Sequence, residues 1–282
     1  MILHNTIKQA SKILKNHNIS SYELDAEIIL ANLMGVKREF FIANNDINIS
    51  EKIIKKYNLA VERRINKEPV AYITGKKEFW SESFLVNSST LIPRPETELL
   101  IYKIINFFKN KKINILDIGT GSGCILLSIL KELNFSRGTG IDISSKTIQM
   151  AEINSNNLNL SYRSKFKVID LNKFNIGKYD LIVSNPPYIS SKEIKNLSKD
   201  IINYEPLIAL DGGIDGLDLI KKVIYKSNHL LKRNGLLAIE IGNGQYRRVS
   251  DILRYYGYRE ISKECDYNHN VRCIMSTKVK FF

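Results

Sequence analysis

Apolar residues recur at helical spacing through the first part of the chain. Ile7, Ala10, Ile13 and Leu14 share one face, Ala26, Ile29, Leu30 and Leu33 a second, and Ile53, Ile54, Tyr57 and Val61 a third. Ser21 stands where it can cap the second helix, Gly35 where a helix stops, and Ser50 just ahead of the third. A small helical domain over residues 1–67 is predicted. Between 68 and 92 the pattern shortens. Val70-Ala71-Tyr72-Ile73 and Phe84-Leu85-Val86 are short β-like runs separated by Gly75 and polar residues, which predicts a β-hairpin linker. Leu91-Ile92-Pro93-Arg94-Pro95-Glu96-Thr97-Glu98 follows, then a helix carrying Leu99, Leu100, Ile104 and Ile105. Two prolines around Arg94 stiffen a loop, either as a plain linker or against a ligand.

From residue 113 the period alternates. Ile113–Ile118, Gly138–Ile143, Phe166–Ile169, Tyr179–Ser184 and Leu236–Ile241 read as strands, with helices over 124–133, 145–157, 217–231 and 245–256. Such alternation predicts an α/β domain over 93–282 built on a doubly wound, mostly parallel sheet. After Tyr256 two more strand-like segments, Tyr258–Ile261 and Arg272–Ser276, follow with no long helix between them, so an antiparallel closing pair is expected.

A length of 282 residues favours two domains, and 44% hydrophobic residues suffice for a real core. No apolar run approaches the ~20 residues that span a bilayer. The start, Met-Ile-Leu-His-Asn, lacks the basic and apolar regions of a secretory signal. Cys124, Cys265 and Cys273 are odd in number and share no metal-ligand spacing. A reduced cytoplasmic protein without membrane contact, metal site or disulfide framework is expected. The net charge of +13 suits nucleic acid or a ribonucleoprotein partner. However, lysines are spread along the chain beside heavy use of Ile and Asn, as AT-rich coding bias produces. Only Lys109, Lys111 and Lys112 cluster, so charge alone names no partner.

The chemistry begins at Asp117-Ile118-Gly119-Thr120-Gly121-Ser122-Gly123, between the first predicted strand of the domain and its helix. Glycines there permit a tight turn and close approach of a ligand to the backbone. Asp142 ends the next strand, where a carboxylate can accept from both ribose hydroxyls. A lone glycine loop often merely closes a strand–helix turn; strand, helix and Asp142 together point to a nucleoside cofactor. The loop is one residue shorter than the dinucleotide fingerprint and follows an acid, as in motif I of S-adenosylmethionine-dependent methyltransferases. Asp170-Leu171, at the end of the third strand, stands where it can flank an adenine or simply form a turn.

The fourth strand runs into Asn185-Pro186-Pro187-Tyr188. Pro186 and Pro187 lack a backbone N–H, and each holds the preceding residue extended. The loop therefore presents acceptors, the Asn185 side-chain oxygen and the Pro186 carbonyl, with few competing donors. That edge suits a planar –NH2 group, with Tyr188 available to cover its face. Taken alone, a Pro-Pro step reads equally as a rigid surface turn and Tyr188 as a core tyrosine. In an open α/β sheet ligands bind at the carboxyl ends of strands, where the glycine loop, Asp142, Leu171 and Asn185 all fall, so one crevice can hold donor and acceptor.

The glycine loop, Asp142 and Asn-Pro-Pro-Tyr together resemble class I methyltransferases that modify planar amino groups. The segment Leu91–Glu98, Glu205-Pro206, Ala209-Leu210-Asp211-Gly212-Gly213, Asp215-Gly216-Leu217 and the helical N-terminal domain narrow this to a resemblance to the HemK/PrmC family of release factor glutamine methyltransferases. The resemblance implies methyl transfer from S-adenosyl-L-methionine, leaving S-adenosyl-L-homocysteine, to the glutamine side-chain nitrogen of the Gly-Gly-Gln motif in class 1 peptide-chain release factors. It further implies cofactor contacts from Gly119, Thr120, Gly121, Ser122, Gly123, Asp142, Leu171 and Asn185. Substrate contacts would come from Asn185, Pro186, Pro187 and Tyr188, of which Asn185, Pro186 and Tyr188 are the expected catalytic residues. Position 171 departs from the pattern, with Leu in place of an aromatic. An N-terminal domain that docks the release factor and a monomeric state are also expected. Two rivals remain: an adenine-N6 methyltransferase of DNA or RNA, which lacks here a target-recognition insert and a basic-aromatic patch, and a non-catalytic ribosome-associated module, which an intact set of site residues argues against.

Overall fold

A computed structural model describes residues 2–279; Met1 and residues 280–282, which the expected domain limits include, lie outside the described residues. The chain separates into two compact units: residues up to Lys76 together with 198–204, and 77–197 together with the chain from Glu205 onward.

The first unit is helical. Its elements are α1 (Leu3–Asn16), α2 (Tyr22–Met34), α3 (Phe40–Ala43), α4 (Glu51–Ile65) and α5 (Val70–Thr74). Leu3, Leu14, Ala26, Ile29, Leu30 and Tyr57 form its core, as the helical spacing requires. Ser50 caps α4 by accepting from Ile53 N at 3.4 Å, and Gly35 ends α2 in the left-handed region at φ 69°. Ser21 precedes α2 but donates to Asp25 Oδ2 instead of capping the backbone. Arg64, buried, bridges Asp25 at 2.7 Å and Asp200 at 2.8 Å, and Tyr204 donates to the Asn66 carbonyl at 2.8 Å. Those bonds tie the distant segment 198–204 to this unit. The expected strand over Val70–Ile73 is α5: Pro69 supplies an extended entry, and Gly75 a left-handed exit at φ 74°.

The second unit opens, from Lys77, within a hairpin of β1 (Lys76–Phe79) and β2 (Glu82–Leu85), turned by Trp80 and Ser81 at φ 51° and 58°. Then follow α6 (Thr97–Phe107), β3 (Asn114–Ile118), α7 (Cys124–Glu132), β4 (Arg137–Asp142), α8 (Ser145–Asn157), β5 (Ser164–Val168) and β6 (Tyr179–Ser184). After α9 (Lys199–Tyr204), which belongs to the helical unit, come α10 (Asp218–Leu230), β7 (Leu231–Glu240), α11 (Tyr246–Tyr255), β8 (Tyr258–Cys265) and β9 (Val271–Lys278). Seven strands form one sheet in the order β5-β4-β3-β6-β7-β9-β8, parallel except where β9 runs against β7 and β8. Alternate residues feed two cores. Ile115, Leu181 and Leu236 face α6 and α7, while Leu116, Ile182 and Leu237 face α10 and α11. This is the doubly wound, mostly parallel architecture that the strand–helix alternation predicts, with the antiparallel pair at its end. Among the described residues no helix is long and apolar enough to cross a membrane.

Because β4 lies on one side of β3 and β6 on the other, the direction in which successive strands are added to the sheet reverses between β3 and β6. Their last residues, Ile118 and Ser184, are register partners, so the glycine loop and Asn185 start from adjacent strand ends. Ser184 Oγ donates to the Ile118 carbonyl at 2.8 Å and locks the two ends together. The crevice of a doubly wound sheet belongs at such a switch.

Candidate active site

The glycine loop is folded by backbone hydrogen bonds, two of them to β4. Gly119 N and Thr120 N both donate to the Ile141 carbonyl, at 2.9 and 3.0 Å, and Gly123 N donates to the Thr120 carbonyl at 2.9 Å. Gly119 and Gly121 have φ of 71° and 57°, and a Cβ on either would meet nothing within 4 Å. Their backbone therefore faces open space where a ligand can lie against it. Thr120 and Ser122 point inward and are buried. Thr120 Oγ1 donates to Asp117 Oδ2 at 2.7 Å. Asp117 is fully buried, and loss of water pushes its carboxyl up to about 7 despite the Thr120 bond.

Asp142 closes β4 with both oxygens engaged: Oδ1 accepts from Ser144 N at 3.0 Å and Oδ2 from Gly121 N at 3.2 Å. Burial holds its carboxyl above the usual range, while these backbone donors pull it back. A cleft of about 750 Å³ runs from Gly119, Gly121 and Asp142, past Asp170 and Leu171, to Asn185 and Pro187. That volume lies within the range of small-molecule sites. Leu171 supplies an apolar wall, being itself packed into the core. Open glycine backbone, a carboxylate and an apolar wall fit a nucleoside-bearing ligand such as S-adenosylmethionine. Thr120, Ser122, Gly123, Pro186 and Tyr188 do not line the cleft.

The far end is built on β6. Asn185 Nδ2 donates to Thr97 Oγ1 at 3.2 Å, and Thr97 Oγ1 donates to Glu240 Oε2 at 2.6 Å. Tyr188 packs its ring on the core under α10 and α11, and its hydroxyl donates to Glu240 Oε1 at 3.3 Å. Arg272 Nη2 donates to that hydroxyl at 2.9 Å, with the guanidinium carbon 5.3 Å from the Tyr188 ring centre. Burial raises the Glu240 carboxyl above its ordinary value; Thr97, Arg272 and Tyr188 oppose the rise. Glu240 and Arg272 are residues that the sequence reading missed. The available signal for Glu240 was a lone acid at the end of the apolar run Leu236–Ile241.

The Asp211-Gly212-Gly213 motif is the buttress of the acceptor loop. Ile189 N donates to the Leu210 carbonyl at 3.1 Å, Gly212 N to the Ile189 carbonyl at 2.8 Å, and Ser191 N to the Gly213 carbonyl at 2.9 Å. A Cβ on Gly212 would stand 2.8 Å from the Pro187 and Gly216 carbonyl oxygens, and one on Gly216 would run into the Tyr188 carbonyl oxygen. Only glycine lets the two backbones approach so closely.

Comparison with known proteins agrees with this architecture. A family model described as the PrmC N-terminal domain matches residues 5–75, and one described as a methyltransferase domain matches residues 109–281. The release factor glutamine methyltransferase of Clostridium acetobutylicum is 36% identical over 282 residues, covering 99% of both chains. That of Buchnera aphidicola subsp. Schizaphis graminum is 39% identical over 272 residues, 96% of this chain and 98% of the other. Among solved structures, a methyltransferase from Pyrococcus furiosus superposes with a TM-score of 0.52 at 15% identity, over 69% of this chain and 88% of that one; this likeness concerns the fold alone.

Proposed function

The chain belongs to the release factor glutamine methyltransferase family and is an S-adenosylmethionine-dependent protein-glutamine methyltransferase, and on that footing we propose that it methylates the side-chain amide nitrogen of the glutamine in the Gly-Gly-Gln motif of class 1 peptide-chain release factors. One observation carries the reading: the open glycine backbone after β3 and Asn185 after β6 share a single cleft at adjacent strand ends.

Gly119 and Gly121 would receive the cofactor on their backbone, Asp142 would accept from its ribose hydroxyls, and Leu171 would cover its adenine. Thr120, Ser122 and Gly123 would hold the loop in shape from behind. The bound cofactor supplies an electrophilic sulfonium methyl group. An amide nitrogen is a poor nucleophile, since its lone pair is delocalised into the carbonyl, so the protein has to aim it and stabilise the positive charge that grows on it. Asn185 Oδ1, on the cleft lining, would do both by accepting one N–H, and the Pro186 carbonyl, on the buried residue next to it, would accept the other. Asparagine accepts without burying a full charge. No strong base is needed, because a methylated cationic amide is acidic enough to shed its proton to water. Pro187 would fix the edge of the acceptor pocket and Tyr188 would anchor the loop beside it.

We assign substrate docking to the helical domain over residues 1–67, ahead of the 68–92 linker and the methyltransferase domain from 93 onward. A cytoplasmic monomer acting on release factors, with no stable nucleic-acid complex, completes the reading. The test is incubation with labelled S-adenosylmethionine and, in parallel, a class 1 release factor, DNA or ribosomal RNA, followed by mass mapping of the product. Label on the Gly-Gly-Gln glutamine is expected; label on an adenine would replace this reading with nucleic-acid methylation.

A further inference from the structure

We propose that Thr97 and Glu240 are positioning residues for Asn185, deciding which end of its amide faces the cleft. The inference rests on Asn185 as the acceptor of the substrate N–H and goes beyond it by naming what holds that acceptor in place. An asparagine amide has an oxygen end and a nitrogen end of nearly equal size, and only the oxygen end accepts. The shape of the side chain does not select between them. Selection has to come from the group behind it.

That group is Thr97 Oγ1, 3.2 Å from Asn185 Nδ2. A hydroxyl can donate or accept, so it selects only when its own proton is committed elsewhere. Glu240 in its ionised form, which the Arg272 guanidinium and the Tyr188 and Thr97 hydroxyls favour against burial, commits it: Oε2 lies 2.6 Å from Thr97 Oγ1, and a carboxylate only accepts. The Thr97 proton then points to Glu240 and its lone pairs face Asn185, where the –NH2 end alone can bond. Asn185 Oδ1 is left for the cleft. Arg272 completes the chain of direction. Its Nη2 donates to the Tyr188 hydroxyl at 2.9 Å, which frees the Tyr188 proton for Glu240 Oε1 at 3.3 Å. The guanidinium also lies 3.8 Å from the same carboxylate oxygen. Thr97 and Glu240 are 2% and 0% exposed, so water does not compete for these bonds.

Thr97→Val keeps the side-chain shape and deletes the hydroxyl; Thr97→Ser keeps the hydroxyl. Both are compared with wild type and Asn185→Ala in steady-state methylation of a class 1 release factor, beside calorimetric Kd values for S-adenosylmethionine. In Thr97→Val, kcat falls about tenfold, the scale of one uncharged hydrogen bond, while the cofactor Kd holds, and Thr97→Ser recovers most of the rate. Unchanged kcat in Thr97→Val beside an impaired Asn185→Ala overturns the relay and leaves the acceptor assignment standing. A loss that Ser does not restore also overturns the relay. Full turnover by Asn185→Ala overturns the acceptor assignment and the relay with it. Hydrogen exchange on the wild-type protein gives a readout that needs no folded variant: one Asn185 Nδ2 proton is protected, and rapid exchange of both rejects the proposal.

Discussion

Arg94 meets Glu205 across 111 residues of chain, with Nη2 2.6 Å from Oε1. The other carboxylate oxygen accepts from Ile92 N at 3.2 Å. The Pro-Arg-Pro loop and the Glu-Pro step are thereby one clasp, and their neighbours Leu91 and Pro206 both line the cleft. Arg94→Ala leaves the buried Glu205 carboxylate with a backbone donor only. It is expected to cost about 1–3 kcal/mol, the scale for stranding a buried polar group, read as a lower urea midpoint at unchanged m-value.

On the proposed mechanism, Asn185→Ala removes one preorganised acceptor at the atom where charge develops. By analogy with loss of one oxyanion-hole donor, kcat falls ~10²–10³-fold. The dissociation constant for S-adenosylmethionine stays close to wild type, because the oxygen acts on the acceptor. Near-normal turnover by the purified variant would end the assignment.

Asp142→Ala shows the opposite separation. It removes the proposed ribose acceptor and also strands Gly121 N and Ser144 N, which the carboxylate holds at 3.2 and 3.0 Å. Affinity for S-adenosylmethionine should drop on the order of 10–100-fold, as expected for hydrogen bonds to a charged group. Calorimetry giving an unchanged Kd counts against this role.

Gly212→Ala tests the buttress. Its methyl would stand 2.8 Å from two backbone oxygens, of Pro187 and Gly216, neither of which can rotate away. The acceptor loop must shift, and a shift near 1 Å costs on the order of 10²-fold in rate. The expected signature is a fall in kcat in a protein that still binds its cofactor normally.

Asp117 predicts a pH dependence of stability. Its folded carboxyl titrates at about 7, against 3.8 for the unconstrained group. Below 3.8 both folded and unfolded forms are protonated, and no penalty exists. Between 3.8 and about 7 the unfolded chain releases its proton and the folded one does not, so stability falls with rising pH and levels off above about 7. Asp117→Asn removes this contribution while keeping an acceptor for Thr120. The variant's Tm should therefore gain on wild type between pH 4 and 7, and a gap independent of pH would refute the buried-acid account.

The sheet was legible because its signals are local. A strand, a glycine loop and a helix follow one another from Asn114 to Glu132, and the register of β3 with β6 then brings Asn185 alongside. Val70–Ile73 misled because a run of four residues, three of them β-branched or aromatic, is too short to show a period; Pro69 and Gly75 decided for a helical turn. Thr97 and Glu240 bond across 143 residues, and no spacing rule reaches that far. Tyr188 was legible as part of a motif, but not its commitment to Glu240 and Arg272, which depends on where β7 and β9 pair.

The segment 198–204 gives the fold a modular asymmetry. Arg64 finds one acid within its own stretch of chain, Asp25, and the other, Asp200, inside the sequence of the methyltransferase half. A chimaera that exchanges residues 2–76 with a relative's therefore separates Arg64 from its native Asp200 and Asn66 from its native Tyr204. Transplanting 198–204 as well keeps both pairs together. The two stretches are one structural unit written in two places, so an exchange of either is best made with the other.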